Sequence, residues 1–218
     1  MTVAQERCLM TRTRNALGAI LAVLLLAVCF PAHASATPPG IPSTTTARSY
    51  LSAITVKTEG SSDGYSRDKF PHWITIEGTC NTREMVLKRD GTNVTTGSDC
   101  YPTKGSWYSE YDGVTTTDPG SFDIDHVVPL AEAWRSGAKS WTTSKRQAFA
   151  NDLDHSQLIA VSASSNRSKS DQDPSTWVPT RTAYRCTYAK MWIASKYQWG
   201  LTAQQAEVTA LNNLLATC

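Results

Sequence analysis

The chain has 218 residues, 40% hydrophobic and 18% charged, and its 21 Lys+Arg against 19 Asp+Glu give a formal net charge of +2. That balance excludes a generally basic nucleic-acid sponge, so any phosphate binding must come from a local cluster. The length suits one domain with its own core behind a leader.

The leader is read from the N-terminus. Arg7, Arg12 and Arg14 form a positive segment, Ala16 to Phe30 is small and apolar throughout, and Ala32-His33-Ala34 and Ala34-Ser35-Ala36 both fit a small-x-small cleavage rule. The apolar stretch is short of the roughly 20 residues of a membrane span. Val28 before Cys29 is bulky for a lipoprotein signal. The expectation is therefore a secretory signal over 1–36, cleaved near 34 or 36, and an extracellular monomer that does not engage a membrane. Removing Arg7, Arg12 and Arg14 on one side and Glu6 on the other leaves 18 charges of each sign. Four cysteines remain, Cys80, Cys100, Cys186 and Cys218. An even count in an exported chain reads as two disulfides. Of three pairings, Cys80–Cys100 with Cys186–Cys218 is favoured because each joins one local unit. No CxxC spacing supports a zinc site.

Residues 37–48, rich in Thr, Pro and Ser, read as a flexible segment ahead of one domain over 49–218. Leu51 to Val56 opens a helix or strand. Gly64 to Trp73 is an aromatic loop. Thr82 to Arg89 is expected to be a short helix capped by Asn81. Residues 93–117 read as short strands, and Phe122 to Val128 is β-like. Pro129 to Ser136 fits a short helix ended by Gly137, and Trp141 to Leu153 has helical spacing. Leu158 to Val161 is a compact apolar strand, after which Ser162 caps a helix carrying Asn166 to Lys169. Tyr184, Tyr188, Met191, Trp192 and Ser195 share a helical stripe ended by Gly200, and Thr202 to Gln205 reads as a capping box into a last helix. The fold class is α+β, with short strands around the motif region and a helical C-terminal half.

Two segments carry chemistry. In Asp125-His126-Val127-Val128-Pro129, an oxygen donor suited to Mg²⁺ or Mn²⁺ stands beside a neutral-pH base. Neighbours on a strand face opposite ways, so one can turn to a metal and the other to substrate where the strand ends. An ordinary imidazole would lose activity below about pH 6. Forty residues after His126 comes Asn166-Arg167-Ser168-Lys169-Ser170-Asp171. Its amide oxygen is a second ligand for a hard cation, and Arg167 and Lys169 can neutralise phosphate oxygens. Arg67 and Arg83 are further candidates for phosphate, with a structural ion pair the competing role for each and Glu84 a partner for either. His72 reads as a packed histidine, and Arg185 is ambiguous. Trp107, Trp134 and Trp141 read as core before base-stacking platforms. Asp123 is the one extra carboxylate, too few for a two-metal site.

These segments together resemble the HNH, or ββα-metal, nuclease superfamily, and within it a branch of secreted bacterial proteins similar to the nuclease domain of modification-dependent restriction enzymes. Asn166 to Asp171 also resembles the matching segment in the HNH domain of RNA-guided CRISPR nucleases. The likeness runs from about Gly64 to Cys218 and includes Phe70-Pro71-His72-Trp73, Cys80-Asn81-Thr82-Arg83-Glu84 and Ala131-Glu132-Ala133-Trp134. It implies a ββα-metal core with Asp125 and Asn166 holding one divalent cation, and His126 as general base. The base-orienting position falls on Gln157 where relatives carry Asn, with His155 two residues earlier. The implied reaction is hydrolysis of DNA, or of RNA, with low sequence preference, leaving 5′-phosphate and 3′-hydroxyl ends. The rivals are an inactive extracellular binding module on the same fold and a metal-dependent hydrolase of another ester.

Overall fold

The computed structural model describes residues 37–218, so the expected leader and cleavage site lie outside the described residues. Helix α1 (Thr44–Ala53) starts at Ser43, whose hydroxyl accepts from the Thr46 amide at 3.1 Å. It buries Ala47 and Leu51 against the C-terminal helices. The expected tether over 37–48 is thus helical from residue 44: Thr-rich composition conceals one small residue, Ala47, on the packed face.

Strands β1 (Thr75–Glu77) and β2 (Cys80–Asn81) form a short antiparallel pair. Asn81 then caps α2 (Thr82–Asp90) in a reciprocal box with Glu84, so Glu84 serves this helix end and not an arginine. Strands β3 (Thr92–Thr96), β4 (Pro102–Tyr108) and β5 (Thr115–Thr116) make an antiparallel sheet. A second two-stranded sheet pairs β6 (Phe122–His126) with β7 (Leu158–Ser162), in register from Phe122 opposite Ser162 to His126 opposite Leu158. Between these strands lie α3 (Leu130–Arg135) and α4 (Thr143–Ala150). After β7, the Ser162 hydroxyl accepts from Ser165 N and starts α5 (Ala163–Lys169). Helices α6 (Arg185–Trp199) and α7 (Gln205–Leu215) complete the chain.

Two expected boundaries move for local reasons. The helix expected across Trp141–Leu153 stops at Ala150, because the Asn151 side chain turns back on the Gln147 carbonyl at 2.7 Å. Asp152 then gathers the amides of Asp154 and His155 into a new turn. The last capping box is Gln204 with Glu207, not Thr202 with Gln205, because Thr202 is tied by its amide and hydroxyl to the Ser136 carbonyl. Gly200 ends α6 in the left-handed region, φ 66°, as a helix C-terminus favours.

The β6–β7 pair lies between two apolar clusters. Phe122, Ile124, Leu158 and Ala160 pack with α2 and Trp107 on one face, while Ile159 and Val161 join the larger helical core on the other. Burial on both faces explains why β7 is apolar throughout. Trp107 and Trp134 are core residues. The disulfides are Cys80–Cys100 and Cys186–Cys218, the favoured pairing. The molecule is an α+β protein with a helical C-terminal half.

Candidate active site

A cavity of about 650 Å³ opens where β6 ends, and Asp125, His126, Asn166 and Arg167 all line it. The pleat sends His126 to the face shared with Leu158 and Asp125 to the face shared with Ile159. Pro129 stops the ladder soon afterwards, so both side chains reach the same concavity from opposite sides of one strand.

Asp125 is only 4% exposed. One carboxylate oxygen accepts from the Tyr111 hydroxyl at 2.7 Å, the other from the Lys169 ammonium at 2.9 Å. Lys169 is fully buried and also donates to the His126 carbonyl at 2.9 Å. Burial pushes the Asp125 carboxyl up and the Lys169 ammonium down, and each charge opposes the shift of the other. The pair is an ionic tie between α5 and the end of β6.

The His126 ring is held on two sides. Its Nε2 lies 2.9 Å from the Ala150 carbonyl, which can only accept, so Nε2 carries the proton and Nδ1 keeps its lone pair. Trp73 stacks on the imidazole with centroids 5.4 Å apart and planes 29° apart. Burial lowers the ring pKa from 6.5 to about 3, so the imidazole stays neutral well below the pH 6 at which an ordinary imidazole takes up a proton.

Asn166 donates through Nδ2 to Asp123 at 3.1 Å, which leaves its Oδ1 for another partner. Asp123 also faces Arg167 at 3.8 Å, and the Arg167 side chain is 78% exposed.

Several expected roles change. Gln157 does not touch His126. Its amide bridges the Val128 backbone at 3.2 and 2.8 Å and accepts from Ser195 at 2.6 Å, pinning the turn after β6 to α6. His155 lies in a different pocket and pairs with Asp152. The His126 ring is oriented instead by a backbone carbonyl, that of Ala150. Lys169 is committed to Asp125 and has no route to a phosphate. Arg83 is spent on the carbonyls of Pro119 and Phe122 and does not line the cavity. Arg67 does line it, donating to His72 Nε2 at 3.2 Å. Arg185 binds the Pro179 carbonyl at 2.8 Å, a structural contact.

No site role was expected for Tyr111, Trp73, Arg135 or Asp171, although Trp73 and Asp171 lie in segments that carried the resemblance. Arg135 and Asp171 both line the cavity and pair at 2.7 Å, with Glu59 and Glu132 on the other edges of the guanidinium. The available signal was Asp171 at the end of the Asn-Arg-Ser-Lys-Ser-Asp segment.

The residues present suit a hard divalent cation. Asp125 and Asn166 offer oxygen donors on one cavity wall, and each Asp125 oxygen keeps acceptor capacity beyond its one hydrogen bond. Among the described residues, no three His, Cys, Asp or Glu side chains cluster as a metal site, so most of the coordination would fall to water or substrate.

The family model for the C-terminal domain of GmrSD restriction endonucleases matches residues 86–214, more than half of the chain. The chain belongs to this family. The matched region of this GmrSD C-terminal domain protein contains Asp125, His126, Ala150, Asn166 and Lys169; Arg67 and Trp73 lie outside it. An uncharacterized secreted protein of Arthroderma benhamiae is 56% identical over 202 residues, covering 93% of this chain and 98% of the relative. No solved structure matches. Among the described residues, no helix is long and apolar enough to cross a membrane.

Proposed function

We propose that this protein is a secreted endonuclease that hydrolyses phosphodiester bonds of DNA, or of RNA, with little sequence preference and one divalent cation. The observation that carries the reading is the convergence of Asp125, His126 and Asn166 on one cavity, with His126 held so that Nδ1 is the unprotonated nitrogen. The order β6, β7, α5, with the base on the first strand and Asn166 on the helix, supports a ββα-metal core. Family membership supports nuclease chemistry, and the relative described as secreted supports an extracellular site of action.

His126 Nδ1 takes a proton from the water that attacks phosphorus. Asp125 and Asn166 would hold the cation, Mg²⁺ or Mn²⁺. Bound there, such an ion would supply Lewis-acid stabilisation of the negative charge that develops as the phosphodiester bond breaks. Arg167, exposed at the rim, and Arg67 contact phosphate oxygens by charge-assisted hydrogen bonds. The products carry 5′-phosphate and 3′-hydroxyl ends.

The test is cleavage of plasmid, RNA and single strands by purified protein with Mg²⁺ or Mn²⁺, with and without chelator. Chelator should abolish cutting, and His126→Ala should lower it by about 10²–10⁴-fold. Cutting that survives the chelator, or a His126→Ala protein that cuts as fast as the wild type, overturns the reading. Binding without cutting by the wild type would favour the inactive binding module.

A further inference from the structure

Trp73 occupies the left-handed region, φ 57°, a conformation that a bulky side chain rarely adopts. Such a backbone persists where its surroundings over-determine it, and here they do. The Asn151 side chain donates to the carbonyls of Pro71 at 2.8 Å and Gln147 at 2.7 Å. It accepts from Ile74 N at 3.2 Å and from the Thr82 hydroxyl at 2.6 Å. One buried amide therefore brackets Trp73 on both chain sides, at Pro71 and Ile74. His72 packs edge-on against Trp73, with centroids 5.4 Å apart, and is anchored to the Phe70 carbonyl at 2.8 Å.

Ala150, next to Asn151, supplies the carbonyl that accepts the hydrogen bond from His126 Nε2. Two consecutive residues at the end of α4 thus control both restraints on His126. Ala150 fixes the ring edge directly, and Asn151 fixes the loop that lays Trp73 on the ring face. We propose that Asn151 and Trp73 are positioning residues that lock the plane and tautomer of the His126 imidazole, so that Nδ1 points to the cavity without rearrangement. A core aromatic that only fills space does not need a left-handed backbone tied at both ends. Its catalytic consequence rests on the nuclease reading above; its structural half does not.

The experiment uses the full chain with ¹⁵N-labelled histidine. In the wild type, His126 should carry its proton on Nε2, with a slowly exchanging N–H signal. In Trp73→Ala that signal should be lost to exchange and the tautomers should mix. The kcat on plasmid should fall about 10²-fold, as for a misplaced catalytic group, with KM changed less than about twofold. Asn151→Ala should reproduce both changes with the tryptophan intact. Trp73→Phe should restore the signal and most of the rate, because it restores a ring. Should Trp73→Ala fail to fold, Trp73→Leu, which keeps bulk without a ring, is read in the same way. A wild-type proton on Nδ1 overturns the proposal, as does a Trp73→Ala or Trp73→Leu protein with an unchanged histidine spectrum. Rate lost only in proportion to thermal stability and not recovered by Trp73→Phe also overturns it. A wild type that cuts no nucleic acid sinks the nuclease reading, while the spectra still decide the clamp.

Discussion

Lys169 and Lys196 are both fully buried cations, and they are used in opposite ways. Lys196 sits between two carboxylates, Glu132 and Glu207, each at 2.7 Å, with the Thr202 carbonyl at 2.9 Å. The Trp192 indole donates to the remaining oxygen of Glu207 at 2.5 Å. That cluster welds α3, α6 and the start of α7. Lys169 has one carboxylate, Asp125, and that carboxylate lines the cavity. The first arrangement saturates its charges within the protein; the second holds a carboxylate rigid while leaving it acceptor capacity. Comparable buried pairs serve packing in one place and preorganisation in the other, and what separates them is whether a member borders open space.

The sharpest way to break this contrast is to remove each ammonium. Lys169→Met should lower cleavage at least about 10²-fold, because Asp125 loses the partner that sets its orientation. It should also destabilise by roughly 3–5 kcal/mol, as expected for a buried charge left alone. Lys196→Met should destabilise by a similar ~3–5 kcal/mol, yet cut at the wild-type rate below its lowered melting temperature. Urea unfolding and initial rates measured on the same samples separate the two. Equal rate losses in both variants would erase the distinction.

A smaller effect concerns pH. Burial raises the Glu132 carboxyl from 4.5 to about 7. The folded state therefore keeps a proton that the unfolded chain has lost, and this stability, full below pH 4.5, declines as pH rises towards 7. His126 acts in the other direction. Its folded pKa lies near 3 against 6.5 unfolded, so stability present above pH 6.5 is lost as pH falls towards 3. Relative to the wild type between pH 4.5 and 6.5, Glu132→Gln should shift the slope of stability against pH upward and His126→Ala should shift it downward, each by up to about 1.4 kcal/mol per pH unit. Urea titrations at pH 5.0, 5.5 and 6.0 measure both slopes; variants with the same slope would contradict the opposed shifts.

The smallest effect belongs to the rim. Arg167→Ala should leave stability unchanged within about 0.5 kcal/mol, raise KM, and reduce the salt dependence of substrate binding by about one unit of slope. Binding assayed across salt concentrations checks this. An unchanged slope would remove Arg167 from the phosphate contacts.

Local signals in the chain were enough for much of this description. Asn81 and Ser162 as caps, Gly200 as a helix end and Leu158–Val161 as a buried strand follow from neighbours in sequence, where a few residues settle the outcome; the disulfides, 20 and 32 residues apart, were the favoured one of three pairings. The Asp-His pair and Asn166 could be singled out only as a set, through their combination with the intervening apolar strand and the family resemblance, because each alone is a common surface pattern. What sequence could not decide was where each long polar side chain ends. Lys169, Arg83 and Gln157 looked suited to a site but turn inward to partners 29 to 44 residues away. The group that orients His126 is a carbonyl, which every residue possesses, so no residue type marks Ala150. Tyr111, Arg135 and Trp73 enter the site through long-range packing. Hydrogen-bond capacity is written in the sequence, but its allocation depends on which segments share the interior, and only the tertiary structure determines that.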